Sequence, residues 1–115
     1  MRKLILVLFA AMAVSAFAAD TTVKGFLVDL SCEAEDGSKP DFGPKHTKDC
    51  LQMAECVKSG YGVLTEDKKV IRFDKASNEQ AKKFIADLKK TKDIKVNVTG
   101  NVNGDMITVN KIELQ

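Results

Sequence analysis

The sequence predicts a mainly β domain with two helices, an α+β chain whose five short strands wrap round one core. Three observations predict it. Apolar and polar residues alternate along several short runs, with the period of two that marks a half-buried strand. Tight-turn signals at Glu66-Asp67-Lys68 and Asn103-Gly104 join those runs into hairpins. A single strongly amphipathic helix stands between the third and fourth runs. Strand, insertion, strand, strand, helix, strand, strand is the order of a five-stranded OB-like barrel, here with a Cys/His-bearing helical insertion, about residues 31–60, after strand 1.

Residues 1–19 carry the pattern of a cleavable export signal. Arg2 and Lys3 precede an uncharged stretch, Leu4 to Phe17, that is too short to span a ~30 Å hydrocarbon core, and Ala16-Phe17-Ala18 supplies small-x-small cleavage chemistry. The expected product is one soluble domain, residues 20–115, in the periplasm or the medium, with no membrane attachment after cleavage. Loss of Arg2 and Lys3 turns a formal charge of +2 into balance, 16 basic against 16 acidic residues. A neutral domain without tryptophan, and with few aromatic side chains on which bases can stack, is not expected to bind nucleic acid.

Thr21 to Leu30 reads as the first strand, rich in β-branched and aromatic residues, and Gly25 within it marks a bend or a close backbone approach. Ser31 to Lys45 is polar and carries Gly37, Pro40, Gly43 and Pro44, so a loop is expected. Thr47 to Ser59 predicts a helix capped by Thr47, with Asp49 in its first turn and Gly60 as its stop. Tyr61–Thr65 and Lys69–Phe73 form the first hairpin. The second helix starts at Ser77, with Gln80 completing a capping box, and sets Ala81, Phe84, Ile85 and Leu88 on one face; its lysines fill the solvated side. Ile94 to Val102 alternates cleanly. In the final strand Ile107 and Val109 share one phase and Ile112 and Leu114 the other, which predicts a bulge near Asn110-Lys111. Ile94, Val96, Val98, Ile107, Val109, Phe73 and Phe84 are the expected core.

Cys32, His46, Cys50 and Cys56 concentrate the unusual chemistry of the chain in the insertion. Three cysteines and a histidine are the donor set of a tetrahedral zinc site; His46, Cys50 and Met53 fall on one face if the helix reaches back to His46, and that stripe, completed by Cys32, is soft enough for Cu⁺. An exported domain this small also gains from a structural disulfide. On a continuous helix Cys50 and Cys56 diverge and lie about 10 Å apart, so a bridge is expected between Cys32 and one of them. No C-x-x-C motif is present, and a catalytic thiol is not expected. The chain thus reads as a non-enzymatic exported protein that binds zinc or copper or is pinned by a disulfide; the alternative is a module that binds another protein or an oligosaccharide, with purely structural cysteines.

Asp29-x-x-Cys32, His46-Thr47-x-x-Cys50, Cys56-x-x-Ser59-Gly60-Tyr61-Gly62-Val63 and the closing Val98-Thr99-Gly100…Gly104-Asp105-x-Ile107-x-Val109 resemble small exported bacterial single-domain proteins of unassigned function. The resemblance implies an OB-like barrel with a D-x-x-C…H-x₃-C…C-x₃-G insertion, marks Cys32, His46, Cys50 and Cys56 as its motif positions, and brings no activity with it.

The charge balance makes one prediction directly. The mature domain should show no salt-dependent affinity for single-stranded DNA or RNA in an anisotropy titration at low ionic strength; micromolar binding with a steep salt slope would contradict it.

Overall fold

The computed structural model describes residues 20–115; the expected export signal, residues 1–19, lies outside the described residues. Five strands and five helices follow one another in a mixed α+β order. Strand β1 (Thr21–Asp29) leads into the insertion, which holds four short helices: α1 (Leu30–Asp36), α2 (Phe42–Lys45), α3 (Lys48–Gln52) and α4 (Ala54–Ser59). The hairpin β2 (Tyr61–Leu64) and β3 (Val70–Phe73), helix α5 (Lys75–Asp87), and the hairpin β4 (Lys95–Asn103) and β5 (Met106–Leu114) complete the chain. The sheet closes into a ring in the order β1-β2-β3-β5-β4, antiparallel except where β3 runs parallel to β5. No described helix is long and apolar enough to cross a membrane.

The core fills the ring. Leu27, Val63, Phe73, Val96, Val98, Ile107 and Val109 point inward, and Ala81 and Ile85 of α5, with Leu88 at its C-cap, close one end. Six of the seven expected core residues are buried; Phe84 is the exception, half-buried and packed against the rim. It stands on the edge of the apolar stripe, where i+3 and i+4 positions share one contact but only one can sit at its centre. The expected close approach at Gly25 is present: a Cβ there would run into the Leu64 carbonyl oxygen, where β1 passes from pairing with β4 to pairing with β2. The phase slip in β5 is resolved by a bulge, since Thr99 and Gly100 face Lys111 and Val109 and Asn110 is left over.

Three expectations are corrected. The loop Ser31–Lys45 is largely helical, because Asp29 caps α1 and Phe42 buries itself to start α2. The expected helix Thr47–Ser59 breaks at Met53, whose backbone is extended (φ −63°, ψ 141°). The break has a packing reason: Leu51 and Cys56 are both buried, and on a continuous helix five residues of separation would point them about 140° apart. Met53 itself is 55 % exposed, neither core nor part of a donor face. Finally, α5 is capped by Asp74, not Ser77. Ser77 and Gln80 serve β5 instead: the Val109 amide donates to Ser77 Oγ at 2.8 Å, and Gln80 Nε2 donates to the Val109 carbonyl at 3.1 Å.

This packing separates two neighbouring substitutions. Ile85→Ala removes a fully buried side chain and should cost about 2–5 kcal/mol in a urea melt, and Phe84→Ala distinctly less. Equal losses would place Phe84 inside the core after all.

Candidate functional site

The insertion starts and ends at one point of the ring. Asp29, the last residue of β1, pairs with Tyr61, the first of β2, so the chain leaving β1 returns beside its own departure. Leu30 N–H donates to the Gly60 carbonyl at 3.0 Å and Ser31 N–H to Ser59 Oγ at 3.1 Å, while Ser59 Oγ–H donates back to the Cys56 carbonyl at 2.7 Å. Gly60 makes the turn from α4 into β2 with φ +85°, a region that side chains rarely adopt. These ties set the first turn of α1 against α4. Cys32 and Cys56, 24 positions apart in sequence, thereby bring their sulfurs to 3.9 Å.

Asp29 stands beneath the two thiols. Its carboxylate is fully buried, and one of its oxygens lies with both Sγ atoms in a group whose members are all within 4.8 Å of one another. Both oxygens have partners: Oδ2 accepts the Cys32 amide at 2.8 Å, capping α1, and Oδ1 meets His46 Nε2 at 2.6 Å. Burial alone would raise the Asp29 pKa, but the hydrogen bonds from His46, from the Cys32 amide and from the Cys56 thiol, with the His46 charge, bring it down to about 2. The carboxylate pushes the other way on its neighbours. Burial first, and then Asp29, raise the Cys56 thiol to about 12 and lift Cys32 above its ordinary value. Tyr61, buried alongside, is raised to about 12 for the same reasons, and its hydroxyl donates to the Leu51 carbonyl at 2.6 Å, holding α3 down.

His46 follows α2 and is 7 % exposed. Its ring lies 4.8 Å from that of Phe42, which joins Val28 and Leu64 in a small second core against which Cys32 packs. The structure thus brings Cys32 and Cys56 together, sets His46 behind their shared carboxylate, and leaves Cys50 outside the close group. Cys50 sits on α3 with its amide donating to the Thr47 cap, half-buried, and it lines one open pocket together with Cys32 and His46. His46 and Cys50 do not share a helix face, because α3 begins at Lys48. Asp29 is the residue that the sequence reading left out of the site. Its signal was present: a lone acid at the end of an apolar strand, three residues ahead of a cysteine, has both the position of a helix cap and the reach to a thiol.

Chemically, two thiols and a carboxylate at this spacing can share a cation, or the thiols can join as a disulfide. All three cysteines are unbridged in the structure. The chain matches no protein-family model, no curated protein and no solved structure.

A buried carboxylate held near pKa 2 makes a signed prediction. Its contribution to stability is complete above the ordinary value of 3.8 and is lost as pH falls through about 2. Urea melts of reduced, metal-free protein from pH 7 to pH 2 should therefore lose stability on the acid side, and Asp29→Asn should flatten that limb. Asp29→Ala should cost about 2–4 kcal/mol at neutral pH, from a lost cap and a buried ring N–H without a partner. An unchanged acid limb in the Asn variant would contradict the assignment.

Proposed function

We propose that this chain is an exported, non-enzymatic metal-binding domain, and that Cys32, Cys56 and Asp29 hold one zinc or cuprous ion. One observation carries the reading: the Cys32 and Cys56 sulfurs stand 3.9 Å apart beside a buried carboxylate. Two sulfurs each bonded at about 2.3 Å to a tetrahedral ion are about 3.8 Å apart, whereas a disulfide closes to about 2.05 Å. A charge argument supports the same reading. His46, the Cys32 amide and the Cys56 thiol hold Asp29 ionised, so an anionic oxygen already stands beside the two sulfurs, and a cation adds to that arrangement.

The fold reading goes with this. The ring order β1-β2-β3-β5-β4, with α5 between β3 and β4, supports an OB-like barrel on which the insertion is mounted. The reading as a binder and not an enzyme draws support from the thiols, which burial and Asp29 hold protonated and therefore poorly nucleophilic. Export to the periplasm or the medium rests on the character of residues 1–19.

A second reading is favoured by the same pair of sulfurs. In an oxidising compartment Cys32 and Cys56 can form the structural bridge, pinning the insertion by about 2–4 kcal/mol and leaving Cys50 free. A barrel stapled in that way would then serve as a protein- or oligosaccharide-binding module.

Alkylation mapping by mass, with and without chelator and alongside metal analysis, separates the two. The metal reading predicts one bound ion, Cys32 and Cys56 protected together until chelator is added, and no binding by Cys56→Ser. Each coordinating thiol must lose a proton, and these thiols hold theirs strongly, so the ion should leave as pH falls below neutrality. A Cys32–Cys56 bridge in protein purified without reductant, with no metal, establishes the second reading instead.

A further inference from the structure

The two thiols of the close group differ in their access to solvent. Cys56 is 3 % exposed, whereas Cys32 is half-buried and forms part of the wall of an open pocket of about 250 Å³. A reagent that enters this pocket meets the Cys32 sulfur first. The Cys56 sulfur waits behind it, 3.9 Å away. The pocket rim carries the ion pairs Lys39–Asp36 and Lys45–Asp41, at 2.8 and 2.7 Å, so its charges cancel and it selects neither anion nor cation. Its volume suits a small molecule and not a folded partner.

That difference in access matches the two steps of thiol–disulfide exchange. One thiolate attacks an incoming disulfide and becomes a mixed disulfide, which a second thiolate then displaces. The first step needs an open approach to its sulfur, and the second needs only a neighbour. Cys32 has the approach and Cys56 is the neighbour.

We propose that Cys32 is the site at which a low-molecular-weight disulfide, RSSR, modifies this protein, and that Cys56 resolves the adduct into a Cys32–Cys56 bridge. Atoms and electrons balance. Cys32 loses its proton, its sulfur bonds to one RS group, and the other leaves as RS⁻, which takes up a proton. Cys56 then loses its proton and attacks the Cys32 sulfur, and the second RS⁻ leaves in the same way. Two protein thiols are oxidised by two electrons, and one RSSR is reduced to two RSH. The change is stoichiometric, one bridge per molecule, and asks no turnover of the chain. One consequence rests on the metal-binding reading above: the bridge withdraws both sulfur donors together and leaves Asp29 alone, so oxidation releases the ion.

Cys50 lines the same pocket, so the test uses reduced, metal-free mature protein carrying Cys50→Ser, which leaves two thiols to follow. The reagent is 2-hydroxyethyl disulfide, with acid quenching and mass mapping over time. The adduct should appear on Cys32 first and give way to the bridge. With Cys56→Ser added, it should stay on Cys32; with Cys32→Ser added instead, Cys56 should be modified at least about tenfold more slowly. An adduct that appears first on Cys56, or one that persists on Cys32 with Cys56 present, would overturn the proposal; the order is read in the Cys50→Ser protein itself, whatever the further substitutions do to folding. A zinc-loaded sample should lose one ion for each bridge formed. Failure to bind zinc, or retention of it after the bridge has closed, would overturn the metal-binding reading and leave the modification site standing.

Discussion

The buried Asp29 carboxylate is the constraint from which the site follows. It sits where β1 stops pairing, with no solvent to share its charge, and each of its oxygens has been given a donor. A carboxylate left bare at that depth would carry a penalty of several kcal/mol. Meeting it requires the chain to turn into α1 so that the Cys32 amide reaches Oδ2, and requires α2 to end where the His46 ring reaches Oδ1. Phe42 follows from that second demand, since its ring backs the imidazole and seals the small core beneath the insertion. One strand-end acid thus places Cys32 from one side and His46 from the other.

The ring supplies the remaining half of the geometry. Antiparallel pairing of β1 with β2 returns the chain to its starting point, and Ser59 and Gly60 fasten the return. Cys56 arrives beside Cys32 because two paired strands share a mouth, with no help from their spacing in sequence. The same closeness explains the electrostatics. One anion held ionised among neutral thiols raises them, so in the metal-free protein the negative charge is concentrated on Asp29. A bound cation would reverse that distribution, drawing the thiol protons off and leaving the three donors anionic around it.

Much of the ring was legible beforehand because strands write their burial into a period of two. The Val109/Ile112 slip located the bulge at Asn110, and Gly25 marked the close approach to Leu64. The insertion was harder for a physical reason: its helices are each under two turns, too short to show a face. Nothing in Leu51-Gln52-Met53-Ala54 forbids a helix, and the break at Met53 comes from tertiary demand, the burial of Leu51 and Cys56 on different sides. Ser77 and Gln80 matched a capping box, but local pattern cannot reveal that the Val109 backbone needs both side chains more. Cys32, His46, Cys50 and Cys56 were legible as one neighbourhood. Their division into a close pair, a ring behind a carboxylate and a thiol on a pocket was not, because it depends on which strand ends meet.

The proposed metal reading makes Cys32 and Cys56 two ligands on one ion, and X-ray absorption at the zinc edge of the zinc-loaded domain checks that directly. Two sulfur neighbours at about 2.3 Å are expected, with the remaining neighbours oxygen or nitrogen. A shell of light atoms alone, without sulfur, would contradict it.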